Sequence, residues 1–192
     1  MPGKREQWTL ATTGIVTALT ALAAVATTVI RIPIPATTGY FNIGDAFVLL
    51  AALWLGPRAG LIVGFVGPTV ADAIGFPQFM LATAITKGAE GLIAGLIGGG
   101  RAVTSAGRKT LASIVGGATM VTGYFVFEAL IYPWLSKYAK LFAVTDLGAA
   151  VVELGPNGIQ AFVGASVALA LWRAVSSAAP SASPTIVERD AQ

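Results

Sequence analysis

Several ionisable and amide side chains lie inside long apolar stretches of the chain. Lys87 and Glu90 are three residues apart in one stretch, which places both on one face of a helix. Glu128 and Glu153 have no basic partner within their own stretches. Ionisable groups are costly inside a membrane, so each is a candidate for ligand binding. The candidate substrate-binding residues are Tyr40, Asn42, Lys87, Glu90, Glu128, Glu153, Asn157 and Gln160.

Most of these side chains also have a structural explanation. Lys87 and Glu90 could neutralise each other, and Asp45 could cap the helix that it begins. Asp72, near a predicted helix end, could fix a loop. The two amides of the last apolar stretch could form interhelical hydrogen bonds. The sequence leaves these alternatives open.

Residue types that support most enzyme chemistry are missing from the chain. It contains no Cys and no His, which removes thiol nucleophiles, imidazole bases, zinc sites and haem ligation together. We therefore expect no metal site, no cofactor in this chain and no enzymatic activity. An intramembrane enzyme with Glu90 and Glu153 as paired acids is the one alternative of this kind.

The composition is that of a membrane protein. Of 192 residues, 55% are hydrophobic and 11% are charged, and the mean hydropathy is +0.77. This length accommodates about six membrane-spanning helices. The few basic residues lie mainly between apolar stretches, where they act as topology signals. We therefore expect a membrane partner and no nucleic acid.

Proline and glycine clusters divide the chain into six predicted helices. Pro33 and Pro35 lie in a loop after the first helix, and Gly56 with Pro57 forms a tight turn. The expected fold is an all-α polytopic membrane protein with a disordered cytoplasmic tail at 173–192. The predicted helices are about 10–30, 43–55, 59–74, 79–97, 111–132 and 147–172.

The distribution of Lys and Arg predicts the orientation. Of the twelve basic residues, three lie on one predicted side of the membrane, eight lie on the other, and Lys87 is inside the fourth helix. An excess of Lys and Arg marks the cytoplasmic side, so both termini are predicted to be cytoplasmic. The eight basic residues on that side are Lys4, Arg5, Arg58, Arg101, Arg108, Lys109, Arg173 and Arg189.

With this orientation, the candidate residues gather in the outer halves of the helices. Lys87 and Glu90 lie roughly 12 to 17 Å from the outer end of their helix. Glu153, Asn157 and Gln160 follow one another at spacings of four and three, so they share one face. A channel requires polar lining from end to end. The pattern instead predicts an outward-facing binding cavity that stops near the middle of the membrane.

Small residues four apart recur in several predicted helices. Gly60 with Gly64, and the series Gly91, Gly95 and Gly99, allow helices to pack closely. Such spacing is explained most simply by packing within the chain. On the first helix, Gly14 with Ala18 and Thr17 with Ala21 could instead dock a partner protein.

Several motifs in order resemble one transporter family. The stretch 39–79, GYFNIGDAFVLLAALWLGPRAGLIVGFVGPTVADAIGFPQF, contains an F-N-x-G-D start and a G-P-x-x-G turn. K-G-x-E-G follows in ATAITKGAEGLIAGLIGG, and N-x-x-Q-x-x-x-G in PNGIQAFVGA. Together they resemble the substrate-binding (S) component of energy-coupling factor (ECF) vitamin transporters, in the riboflavin and small-vitamin branch.

The resemblance implies a six-helix bundle in a prokaryotic plasma membrane, with substrate held under the first loop. It places Tyr40 and Asn42 in the lid, Lys87 and Glu90 in one wall, and the two amides of the last helix in another. It also implies a transmembrane coupling protein and two ATP-binding cassette (ABC) ATPases as partners, which use the ATP. The expected substrate is a vitamin or precursor such as a pyrimidine, pyridine or flavin compound. Gly14, Ala18, Thr17 and Ala21 would form the face that docks on the coupling protein.

Two other functions remain open from the residues alone. A stand-alone secondary transporter would use Lys87, Glu90 and Glu153 as proton-coupling groups and would need no ATPase. A purely structural membrane subunit would leave the clustering of polar residues in the outer halves unexplained.

Overall fold

The computed structural model describes residues 9–34, 37, 39–143 and 145–178. The helices are α1 Leu10–Val29, α2 Asp45–Leu55, α3 Pro57–Gly75, α4 Met80–Gly98, α5 Ala106–Val126, α6 Tyr132–Leu135 and α7 Leu147–Ala178. A 3-10 turn at Pro77–Phe79 precedes α4, another at Gly100–Ala102 follows it, and a π-helix at Phe127–Ile131 joins α5 to α6. Two short antiparallel strands, β1 (Ile32–Pro33) and β2 (Tyr40–Phe41), form a hairpin between α1 and α2.

Five helical stretches within the described residues are long and apolar enough to cross a membrane. Three of them are α1, α3 and α7, and the other two are Pro77–Ala102 and Ala106–Leu135. The helix α2 is apolar but has only 11 residues, which span about 16 Å. The predicted all-α polytopic membrane fold is confirmed. The number of spans and the side on which the termini lie stay predictions.

The helices begin and end at somewhat different residues from those predicted. The start of α5 is Ala106 rather than 111, because the Ser105 hydroxyl accepts a hydrogen bond from the Arg108 N–H and caps the helix. The helical stretch that includes α5 continues through Pro133 to Leu135. The prediction that a disordered tail begins at 173 is wrong, because α7 continues to Ala178. The remainder of that predicted tail, 179–192, lies outside the described residues.

Glycines bring α3 and α4 into direct backbone contact. A Cβ at Gly60 would overlap the backbone of Gly91, and a Cβ at Gly91 would overlap the backbone of Gly60. Gly64 meets the Lys87 carbonyl and Gly95 meets Pro57 in the same way. The predicted packing role of these four glycines is therefore supported. Gly99 differs, because it ends α4 with a φ of +70°, a conformation that favours glycine.

The short helix α2 lies at the centre of the bundle. Every residue from Val48 to Leu53 is buried, and α1, α3, α4 and α7 surround the helix. A helix that is apolar on all sides is typical either of a protein core or of a membrane span, and α2 lies in the core. Large apolar side chains on the outer helices, including Phe65, Leu130 and Phe162, are exposed. We assign these exposed faces to lipid.

The bundle has two ends with different polar contents. The hairpin end carries β1, β2 and the start of α2, and the opposite end carries the turn between α2 and α3. Arg58, Arg101, Arg108 and Arg173 lie toward the opposite end, whereas Lys4, Arg5 and Arg189 lie outside the described residues. Lys109 was predicted to be a loop cation, but it is a fully buried residue of α5.

Candidate functional site

A cavity lies beneath the hairpin, and we call it the hairpin cavity. Its volume is about 30 Å³, room for about one water molecule, so the hairpin must move before a larger ligand enters. Of the eight predicted substrate-binding residues, all except Lys87 and Glu90 line it. The lining residues are Gly39, Tyr40, Asn42, Asp72, Phe79, Thr83, Tyr124, Glu128, Glu153, Asn157 and Gln160.

Tyr40 and Arg31 attach the hairpin to the bundle. The Arg31 guanidinium lies 5.1 Å from the centre of the Tyr40 ring and 5.0 Å from that of Phe76. It also donates hydrogen bonds to the carbonyls of Thr27, at 3.0 Å, and Ala71, at 2.7 Å. Burial and the neighbouring Asp72 carboxylate raise the pKa of the Tyr40 hydroxyl. The hydroxyl therefore keeps its proton and donates it in a hydrogen bond to Asp72.

Asp72 connects three helices to the hairpin. Its second carboxylate oxygen accepts a hydrogen bond from the Thr83 hydroxyl at 2.5 Å. The Thr83 and Tyr124 hydroxyl oxygens are 3.0 Å apart. This chain of polar groups joins β2, α3, α4 and α5 along one wall of the cavity. Asp72 thus fixes a loop, as its sequence position suggested, and it also lines the cavity.

A second hydrogen-bonded group forms the floor of the cavity. The Gln160 amide accepts a hydrogen bond from the Asn42 backbone N–H, at 2.9 Å, and donates one to the Asp45 carboxylate, at 2.8 Å. Asp45 also accepts a hydrogen bond from Lys87. Asp45 lies in the first turn of α2, as predicted, but its carboxylate bonds to these side chains on α4 and α7 and forms no capping hydrogen bond with a backbone N–H of the described residues.

Lys87 and Glu90 lie below this floor and outside the cavity lining. The Lys87 ammonium is 3.7 Å from a Glu90 carboxylate oxygen, so the two interact, but Asp45 is the nearer partner. The ammonium also lies 5.5 Å from the centre of the Tyr124 ring, which does line the cavity. The geometry therefore favours a supporting position for both residues. Whether either contacts ligand stays a prediction to be tested.

Glu128 enters the cavity from the π-helix. In a π-helix, the Glu128 carbonyl would accept a hydrogen bond from the N–H of the residue five positions later. That residue is Pro133, which has no N–H, so the carbonyl lacks this donor. The Thr145 hydroxyl donates to this carbonyl at 2.8 Å and satisfies it. Single π-helical turns often occur at functional sites, and this irregularity therefore supports the prediction that Glu128 is a binding residue.

Glu153 lies beside Glu128 and directly under the hairpin. The two carboxyl groups are close enough to interact electrostatically. A Cβ atom at Gly39 would overlap the Glu153 carboxylate, so the hairpin backbone rests on that group. Asn157 lies one turn further along α7 and lines the same wall. The lid and the acidic pair are therefore in contact.

Sequence reasoning did not select five residues that line the cavity. Thr83 lies four residues before Lys87, so extension of that helix face would have found it. Tyr124 was not among the predicted substrate-binding residues, and Asp72 was predicted to fix a loop. No sequence signal singled out Phe79 or Gly39 as lining residues. Among the described residues, no group of three or more acidic side chains is positioned to hold a metal ion.

The four predicted docking residues share the exposed side of α1. Gly14, Thr17, Ala18 and Ala21 are all exposed, and a Cβ at Gly14 would meet no atom within 4 Å. The buried side of α1 instead packs on α2 and α3 through Val16, Leu19 and Ala23, among others. The small-residue face is thus available to another molecule, and its role in docking stays a prediction.

Comparisons with known proteins agree on one family and one fold. The family model described as ECF-type riboflavin transporter, S component, matches residues 6–177. A curated Pyrococcus woesei protein, described as an uncharacterized protein in a gap 3′ region, is 43% identical over 108 residues, or 56% of this chain and 72% of the relative. A solved structure described as "Structure and mechanism of the S component of a bacterial ECF transporter" superposes with a TM-score of 0.67 at 21% identity. It covers 86% of this chain and 95% of that one.

Proposed function

The chain belongs to the family of ECF-type riboflavin transporter S components, and we propose that it captures a small vitamin-like compound in the hairpin cavity and delivers it across the membrane with ATPase partners. One observation carries the proposal. Polar side chains from α3, α4, α5, the π-helix and α7 converge beneath a hairpin at one end of the bundle. The centre of the bundle is the apolar α2. This arrangement binds a ligand at one end and offers it no polar path through the protein.

The mechanism involves binding without covalent chemistry. Substrate enters beneath the hairpin from outside the cell, and the hairpin closes over it through Tyr40 and Asp72. The bundle then reorients in the membrane while it is docked on a transmembrane coupling protein. The exposed apolar faces of the outer helices favour such a movement, because few charges face lipid. Two partner ABC ATPases hydrolyse the ATP that resets the cycle, and the setting is a prokaryotic plasma membrane.

Docking is assigned to the exposed small-residue face of α1. Small side chains allow the close approach of a partner helix in lipid. Ala18→Trp fills the middle of this face, and Ala170→Trp on α7 is the matched control at another exposed alanine. We expect Ala18→Trp to abolish uptake while ligand affinity stays within about twofold of the parent. The control variant should retain both.

The test is uptake with and without the partner proteins. The chain is reconstituted in liposomes alone or with an ECF coupling protein and its ATPases, and labelled B vitamins and precursors are supplied outside. ATP-dependent uptake only in the presence of the partners supports the proposal. Uptake by the chain alone, driven by a proton gradient, would establish a secondary transporter instead. Thermal stabilisation in detergent identifies the ligand, because a compound at 100 times its Kd adds about 2.7 kcal/mol.

A further inference from the structure

Glu128 has a buried carboxylate oxygen without a hydrogen-bond partner. The residue is 2% exposed and lines the hairpin cavity, and its Oε2 atom makes no hydrogen bond within the described part of the chain. Buried polar atoms in native proteins are nearly always paired. An unpaired carboxylate oxygen at the wall of a cavity therefore indicates a partner that enters the cavity.

Glu153 adds a second carboxylate at the same place. It is 5% exposed, lines the cavity and has its carboxyl group within hydrogen-bonding reach of that of Glu128, so one proton shared between the two groups leaves the pair with a single negative charge. Within residues 9–34, 37, 39–143 and 145–178, no Lys or Arg forms a salt bridge with either glutamate. The wall beneath the hairpin is therefore acidic and lacks a protein cation.

The two nearest cations are already engaged with other groups. Lys87 contacts both Asp45 and Glu90, so one ammonium faces two carboxylates. Arg31 donates to two backbone carbonyls and contacts the rings of Tyr40 and Phe76. Around the cavity and its floor, the buried carboxylates thus outnumber the cations. These carboxylates belong to Asp45, Asp72, Glu90, Glu128 and Glu153.

We propose that the substrate is an organic cation with a flat ring, and that Glu128 and Glu153 hold its positive group. The proposal rests on the proposed function and names the substrate class of that same cavity. Burial of a charge is costly unless an opposite charge compensates it, so a cationic ligand relieves the cost of the acidic pair. Phe79 and Tyr124 line the same cavity, and aromatic rings attract flat cations. A divalent metal fits less well, because it requires about six oxygen ligands.

The test compares ligands that differ mainly in charge. Purified full-length protein in detergent is titrated with 1-methylnicotinamide, a cation, and with neutral nicotinamide. Pyridoxamine and pyridoxine form a second pair, in which an ammonium replaces a hydroxyl. Thiamine is a further cationic probe, riboflavin is a neutral one, and magnesium chloride tests for metal binding. Isothermal calorimetry gives each Kd. For the cation that binds more tightly, we expect an affinity at least tenfold higher than that of its neutral partner.

Charge-neutralising variants test the role of the acidic pair. Glu128→Gln and Glu153→Gln keep the side-chain size and remove the negative charge, and each should weaken cation binding at least tenfold. The affinity ratio between charged and neutral probes should fall toward one in both variants. Asp146→Asn is the matched control, because Asp146 is exposed outside the cavity and Asn retains its hydrogen bond to the Ala149 N–H. Its affinities should match those of the parent.

The outcomes separate this proposal from the proposed function. Tight binding of riboflavin or nicotinamide that is unchanged in both glutamine variants would overturn the cation class and leave a working S component. Saturable magnesium binding that requires both glutamates, with no response to the organic cations, would also overturn it. Cation binding that requires both glutamates, together with uptake that ignores the ATPases, would support the cation site and refute the proposed function. Folded protein that binds no cationic probe at millimolar concentration contradicts the cation class.

Discussion

Two of the regions in which the described chain buries charge differ in how that charge is satisfied. At the opposite end of the bundle, the Lys109 ammonium donates to the carbonyls of Leu53, Gly98 at 2.9 Å and Gly100 at 2.7 Å. It also lies 5.5 Å from the centre of the Trp172 ring. All three ammonium protons are therefore used. Beneath the hairpin, by contrast, an oxygen of Glu128 has no hydrogen-bond partner among the described residues.

The contrast separates a structural charge from a functional one. The carbonyls of Leu53 and Gly98 are at the C-terminal ends of α2 and α4, where helices lack internal donors and favour a cation. Lys109 satisfies them and ties α2, α4 and α5 together beside α7. A charge that is fully satisfied within the protein needs no ligand. The Glu128 Oε2 atom, by contrast, has no partner among the described residues until something enters the cavity.

The largest expected effect is on stability, from Lys109→Met. Methionine fills a similar volume but leaves three buried carbonyls without their donor, each of which is costly. We expect a loss of at least about 2 kcal/mol in the free energy of unfolding, measured by denaturant titration in detergent. Ligand affinity of the folded fraction should stay within about twofold of the parent, because the cavity is at the other end.

The matched control for this variant is Lys137→Met at the hairpin end. Lys137 is exposed, and an exposed lysine contributes little to folding. We expect its unfolding midpoint to equal that of the parent. Equal losses in the two lysine variants would refute the structural role of Lys109.

The helices were predictable from sequence, and the partners of the polar residues were not. Apolar runs and the breakers Gly56, Pro57 and Pro77 locate the helices, because membrane helices must satisfy their own backbone. Lys109 resembles any loop cation by position, and only the fold shows the carbonyls around it. Asp45 likewise has no sequence signal for its contact with Lys87, which is 42 residues away. Contacts between helices depend on rotation and depth, which a hydropathy pattern does not specify.

The part of the candidate site that was predictable is the part set by how deep each polar residue lies along its helix. Glu128, Glu153, Asn157 and Gln160 were placed in one outer cavity because each is polar and lies near one end of its helix. The π-helix that presents Glu128 was not predictable, since it depends on Thr145 to satisfy a carbonyl. Lys87 and Glu90 fall outside the lining because Asp45 and Gln160 lie between Lys87 and the cavity.

An intermediate effect is expected from Gly39→Ala, which tests the contact between the hairpin and the acidic pair. Gly39 does not have a positive φ, so alanine causes no backbone strain, but its Cβ would displace the Glu153 carboxylate. We expect ligand affinity to fall about tenfold, which is about 1.4 kcal/mol. The free energy of unfolding should change little, because a flexible side chain moves. Calorimetry and denaturant titration measure the two quantities.

Gly158→Ala is the matched control for the hairpin variant. Gly158 is in α7, and a Cβ there would meet no atom within 4 Å. It should bind ligand like the parent. If Gly39→Ala also binds like the parent, the hairpin does not position Glu153 for the ligand.

The smallest expected effect is that of Glu128→Gln on the stability of the ligand-free protein. Glutamine keeps the shape of the side chain, and no Lys or Arg among the described residues forms a salt bridge with Glu128, so the folded state loses no ion pair. We expect the free energy of unfolding to stay within about 0.5 kcal/mol of the parent or to increase. Denaturant titration of Glu128→Gln and Lys109→Met without ligand compares the loss in the free energy of unfolding between the two regions. A destabilisation by Glu128→Gln as large as that of Lys109→Met would mean that the acidic pair supports the fold, and the distinction between the regions would be lost.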